Sequence, residues 1–154
     1  MNTNTNTKNL FISAFILGLG FMGSLDGIVF HQFLQWHHVI DHQNHRIELF
    51  SDGVFNLVVT LLLVFACIKI FRDALHNRIG FSWRIFIGSI IVGAGSFNLF
   101  EGLIDHQILG LHHVRSNSPN WFIYDIGYLI SGVLLIIIGT IYLNLKMQFR
   151  QRER

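Results

Sequence analysis

Six of the nine histidines fall in two strings of one design. Residues 26–39 read DGIVFHQFLQWHHV, and residues 101–114 read EGLIDHQILGLHHV. Laid over each other without a gap, they share an acid, a Gly, His-Gln, a Leu and His-His-Val. The acids are Asp26 and Glu101. The histidines are His31, His37 and His38, answered by His106, His112 and His113. Imidazole and carboxylate together are the donor set of Fe, Zn, Mn or Cu(II). Neither string holds Cys or Met, which argues against a soft Cu(I) site. Each string ends an apolar stretch long enough to cross a bilayer, where ionisable side chains are costly and read first as functional.

Asp52 and Asp125 add to the set, each near the start of the helix that follows its string. The candidate metal ligands are thus His31, His37, His38, His106, His112, His113, Asp26, Glu101, Asp52 and Asp125. That is more than one ion needs, so two ions fit the count as well as one. Gln32 and Gln107 are candidates for orienting the imidazoles from behind. On a continuous helix of about 100° per residue, His31 and His38 share a face, and Asp26 and the next-door His37 lie within about 20° of each other. Asp26 and His31 then stand on neighbouring faces, and Asp26 lies some 18 Å below His38 at about 1.5 Å per residue. The expectation is a pocket opening outward, with six histidines converging, pairs at the rim and acids deeper. No Glu-x-x-His marks a ferritin-like di-iron bundle, and no His-Glu-x-x-His marks a zincin.

Plainer readings exist for each group. A His-His pair can anchor at a membrane interface, and Asp26 and Glu101 can join His31 and His106 simply as polar glue between helices. Asp52 and Asp125 can complement helix dipoles. His42, His45 and His76 have no counterpart and read as solvated loop residues. Asp105 faces Phe30 in the alignment and stays outside the set. Gly23 and Gly27, with Gly88, Gly93, Gly95 and Gly102, are small residues expected to bring the two motif helices together. The single Cys67 reads as a small buried hydrophobe.

The elements that must position these groups are membrane helices. Of 154 residues, 51% are hydrophobic and 13% charged, with a mean hydropathy of +0.48. Four stretches are long enough to span, at about 9–36, 50–71, 84–109 and 121–145. Ser118 and Pro119 are placed to start the fourth. The expected fold class is all-α, an integral membrane four-helix bundle built of two parallel-related helical hairpin repeats. A disordered tail is expected at 1–8 and the transmembrane domain at 9–146, with repeats at about 9–76 and 84–146. A basic tail occupies 147–154. The first apolar stretch runs past the length of a signal-peptide core and should stay in the mature protein.

Lys69, Arg72, Arg78 and Arg84 flank the middle loop, Lys8 precedes the first span, and Lys146, Arg150, Arg152 and Arg154 follow the last. Only Arg46 and Arg115 lie at the other end. The positive-inside rule puts both termini in the cytoplasm and both His-His loops outside. Trp36, Trp121 and Tyr124 would mark the outer interface, Trp83 and Tyr142 the inner one. The net charge of +2 gives no case for nucleic acid. The sequence has no nucleotide loop, no nucleophile elbow and no soluble catalytic domain, so no enzyme class is assigned.

The string DGIVFHQ-x-LQWHH resembles the hallmark of a bacterial family of four-span membrane proteins, domain-of-unknown-function family 2243. The resemblance covers about 10–145 and singles out Asp26, His31, Gln32, His37 and His38. It implies four helices in two hairpins, in a bacterial inner membrane, and implies no reaction. From the residues, the leading reading is a metal-binding membrane protein with one or two non-haem ions (Fe, Zn, Cu or Mn) doing redox or oxygen chemistry. In that reading His31, His38, His106 and His113 are ligands, and Asp26 and Glu101 are ligands or proton carriers. A second reading is metal handling or assembly for a respiratory enzyme, with a respiratory or metal-handling membrane protein as partner beside the lipid bilayer. A third is a haem b protein with His31 and His106 as axial ligands, and a fourth is a scaffold without metal.

Overall fold

The computed structural model describes the backbone of residues 3–152 and the side chains of residues 6–144. Four α-helices carry it: α1 (Thr3–Asp26), α2 (His45–Leu75), α3 (Trp83–Glu101) and α4 (Trp121–Arg152). Two π-helical segments, Gly27–Phe33 and Gly102–Ile108, continue α1 and α3. The stretches Asn6–Phe33, His45–Leu75, Trp83–Ile108 and Trp121–Asn144 are each long and apolar enough to cross a membrane. The sequence expectation of four spans in an all-α fold is met. α2 is longer at both ends than the stretch expected from hydropathy. Its start is fixed by Asn44, whose side chain accepts the Ile47 N–H at 3.1 Å.

Several boundaries differ from expectation. α1 begins at Thr3, inside the stretch expected to be a disordered tail, and Met1 and Asn2 lie outside the described residues. α4 starts at Trp121 rather than at Pro119. Ser118 closes a turn instead, its hydroxyl accepting the Asn120 N–H at 3.2 Å. α4 then runs on to Arg152 through the expected basic tail, of which Glu153 and Arg154 lie outside the described residues.

The helices pack in the order α2, α1, α3, α4. α1 and α3 form the central pair, α2 lies on α1, and α4 lies on α3. Among the described residues α2 and α4 do not meet. They expose rows of large apolar side chains, among them Leu57, Leu61, Phe65, Ile130 and Ile137. Such a surface suits lipid, where exposed apolar atoms carry no penalty. Cys67 is exposed on that surface rather than buried.

Close approach of the central pair depends on two glycines. A Cβ on Gly18 would collide with the Ile90 backbone, and one on Gly93 with the Phe15 backbone. These positions match across the two halves of the sequence. Gly23 serves the α1–α3 contact as well as α2, and Gly27 faces α2. A Cβ at Gly23 would meet Val59 and Phe97, and one at Gly27 would meet Asn56 and Phe55 of α2. Gly88 and Gly95 face α4. Small residues thus seat both flanking helices as well as the central crossing.

Candidate metal centre

The two π segments create the site. Asp26 and His31 stand five positions apart, as do Glu101 and His106. On an α-helix that spacing puts two side chains roughly 140° apart, at about 100° per residue. A π-helix bonds i to i+5, so residues five apart lie one turn above each other on the same side. His31 Nε2 accordingly sits 3.3 Å from Asp26 Oδ2. The expectation that acid and histidine occupy neighbouring faces assumed an α-helix throughout.

Each π segment then stops in the same way. Leu34 donates to Val29 O at 2.8 Å, and Trp36 to Phe30 O at 2.9 Å. In the second string Leu109 donates to Ile104 O at 2.8 Å, and Leu111 to Asp105 O at 2.9 Å. The left-handed residues of these reversals are Gln35 (φ 48°) and Gly110 (φ 58°). The chain folds back over its own helix end, so the His-His pairs leave the helix. His37 Nε2 comes within 3.9 Å of Asp26 Oδ2, and His112 Nε2 within 3.9 Å of Glu101 Oε1. The expected separation of some 18 Å between Asp26 and the His pair belonged to an unbroken helix.

The two loops clasp each other through matched bonds. Asp41 N–H donates to Leu111 O at 3.2 Å, and Ser116 N–H to Trp36 O at 3.1 Å. The Ser116 hydroxyl donates to Asp41. His37 Nδ1 lies 2.9 Å from Val114 O, and His112 Nδ1 lies 3.0 Å from Val39 O. A carbonyl only accepts, so each Nδ1 carries the proton and each Nε2 keeps its lone pair. The two rings stack at 4.4 Å and 5°. His112 lies outside the spans. Burial, and then the nearby His37 and His106, push its pKa down to about 2, so its imidazole is neutral at physiological pH.

The result is a buried cluster of six ligand-type side chains. Asp26, His31, His37 and Glu101 each offer a donor atom, all within 4.8 Å of one another. Glu101, His106 and His112 form a second such group, so Glu101 belongs to both. Among the described residues, seven donor atoms of the cluster have no hydrogen-bond partner: Asp26 Oδ2, both nitrogens of His31 and of His106, and Nε2 of His37 and His112. An unmatched buried polar group costs about 1–3 kcal/mol. Seven together rival a domain's whole stability of about 5–15 kcal/mol. Asp26 and His31 lie side by side, yet their atoms are not aligned as donor and acceptor.

A family model described as Predicted membrane protein (DUF2243) matches residues 13–146. The chain belongs to that family. No curated protein and no solved structure matches it.

The other expected ligands of this DUF2243 protein sit further out. His38 Nδ1 donates to Asp52 Oδ2 at 2.7 Å, and His113 Nδ1 to Asp125 Oδ2 at 2.8 Å. These aspartates also accept the Val39 and Val114 N–H groups, at 3.0 and 2.9 Å. Their Oδ1 atoms lie 3.1 Å from His31 Nδ1 and 3.7 Å from His106 Nδ1. Four of the six motif histidines therefore converge, while His38 and His113 stand apart and are partly exposed. Gln32 and Gln107 are both exposed, and Gln107 donates to Asp125 Oδ2 at 3.1 Å. His42, His45 and His76 are exposed, as expected.

Tyr128 was not in the expected set. It is buried, and its hydroxyl donates to Glu101 Oε2 at 2.5 Å and approaches Asp26 Oδ1 at 3.3 Å. It stands three residues after Asp125, as Phe55 stands three after Asp52. Both rings cover an inner histidine, Phe55 on His31 and Tyr128 on His106, each at 5.4 Å. That shared offset was the available sequence signal.

Proposed function

We propose that this DUF2243 protein is a metal-binding membrane protein whose buried centre holds two non-haem ions. Asp26, His31 and His37 hold one, His106 and His112 hold the other, and the Glu101 carboxylate is shared between them. The observation that carries this is two groups of buried donors within 4.8 Å of one another, rich in atoms without a hydrogen-bond partner, with the outer nitrogens of His37 and His112 tied to carbonyls. That pattern is how proteins fix the tautomer of a ligating imidazole. Asp52 and Asp125 hold the loop amides and back His31 and His106. The donor set suits Fe, Zn, Mn or Cu(II). Bound as a pair, such ions supply redox or oxygen chemistry or activate water.

Other readings fit less well. Polar glue between helices accounts for the contacts of His31 with Asp26 and Asp52 and of Tyr128 with Glu101 and Asp26, but it leaves both nitrogens of His106 and the Nε2 atoms of His37 and His112 without a hydrogen-bond partner among the described residues. A haem between His31 and His106 needs a flat gap. Instead the His37 ring lies 4.6 Å from His31 and 6.1 Å from His106, and the His112 ring 4.7 Å from His106 and 6.3 Å from His31. Metal handling for a respiratory enzyme uses the same residues, and the polar cavity beside His38 favours it as the second reading. In the proposed reading the chain is a bacterial inner-membrane protein, and the basic residues at the opposite end support both termini being cytoplasmic with the centre near the outer face. In this reading the two strings are halves of an internal repeat about a pseudo-two-fold axis.

Titration with Co2+ tests the proposal. Metal-stripped protein in detergent should develop visible Co2+ bands and saturate at one ion per ligand group. Protein that stays colourless, or a Glu101→Gln variant that binds like wild type, would refute it.

A further inference from the structure

The two outer histidines stand in unlike surroundings. The His113 ring stacks one face on Trp121 at 4.0 Å and 21°, although its side chain is 30% exposed against 21% for His38. His38 opens onto a polar cavity of about 200 Å³ bordered by Trp36, His37, Asp41, His42 and Glu48. With His38 Nδ1 donating to Asp52, the neutral imidazole carries its lone pair on Nε2, and that atom lies 3.9 Å from Glu48 Oε2. Asp41 is already engaged, accepting the His38 N–H at 2.8 Å and the Ser116 hydroxyl. The difference is written in the sequence. Asp41 and His42 are matched in the second half by Ser116 and Asn117, and Glu48 by the apolar Ile123.

The wall of the cavity also touches the buried centre. His37 borders it, is only 3% exposed, and has an unpartnered Nε2. A cation held by His38 and Glu48 is therefore one side chain away from the inner ligands. Two partly solvated donors bind it more weakly than the four of the inner group, so transfer runs inward.

We propose that this cavity is the loading port of the centre. A divalent transition-metal cation binds first between His38 and Glu48, in the cavity that His42 also borders, then passes along His37 to the buried ligands. The port rests on the metal-centre reading. It adds that the cluster fills by way of His38, where Glu48 supplies a carboxylate.

The test uses full-length, metal-stripped protein in nanodiscs, mixed with Co2+ and followed by visible absorbance. A Glu48→Gln, His42→Ala double variant should load about 10-fold more slowly, as expected when a charged mouth that concentrates cations is removed. Its final absorbance should equal wild type. His76→Ala, at the far end of α2, should load at the wild-type rate. Equal rates in the double variant and wild type would overturn the port, and so would a lower final absorbance, which would make these residues part of the centre itself. Wild-type protein that develops no Co2+ absorbance refutes the metal centre, and the port with it.

Discussion

Glu101 and Asp26 occupy matching places, yet they differ by one methylene, and only the longer acid reaches both ligand groups. Tyr128 reinforces that asymmetry, because its hydroxyl donates to Glu101 while Phe55 offers nothing in the same place. The hydroxyl fixes the carboxylate that the two groups share. Tyr128→Phe keeps the ring over His106 and removes that bond together with the longer one to Asp26. Loss of a group that orients a ligand costs roughly 10–100-fold in metal affinity. Competition against a chelator should show that drop for Tyr128→Phe, and an unchanged affinity would mean Glu101 is positioned without it. At this scale the sequence was informative about which residue types matter. Matching letters exposed Asp26, His31, His37, Glu101, His106 and His112. They could not separate His37 from His38, because neighbouring histidines differ only in which way the loop turns.

The helices carry the information that letter matching lacks. An acid and a histidine five apart look misaligned at an α-helical pitch and become aligned when the helix switches to π at Gly27 and Gly102. The spacing was visible in the sequence, but its meaning depended on the pitch. The loop clasp was illegible for another reason. His37 and His112 are held by the Val114 and Val39 carbonyls, and a carbonyl belongs to every residue. Gly18 was passed over because its neighbours give no sign that α3 crosses there. The two reversals offer a direct test. Gln35 adopts a left-handed conformation that Gly110 adopts without a Cβ. Gln35→Gly should raise stability by about 1 kcal/mol, and Gly110→Ala should lower it by a similar amount. Thermal denaturation in detergent reads both, and shifts of the opposite signs would show that these residues do not set the turns.

At the scale of the molecule, hydropathy was enough to give four spans, while their order in space was not. Hydropathy counts apolar residues without saying which face meets a neighbour, so the row α2, α1, α3, α4 had to come from packing. That row places both His-containing loops at one end and the basic α2–α3 turn at the other. With the proposed topology, Asn117→Cys on intact cells should react with a membrane-impermeant maleimide, and Arg78→Cys should not. The reverse pattern would invert the protein in its membrane and turn the loading port toward the cytoplasm. The central claim is that the buried cluster exists to hold metal. Elemental analysis of gently purified wild type beside a His31→Ala, His106→Ala variant tests it most directly. The account predicts at least one tightly held transition metal per chain in wild type, lost in the double variant. Equally little metal in both proteins would contradict it.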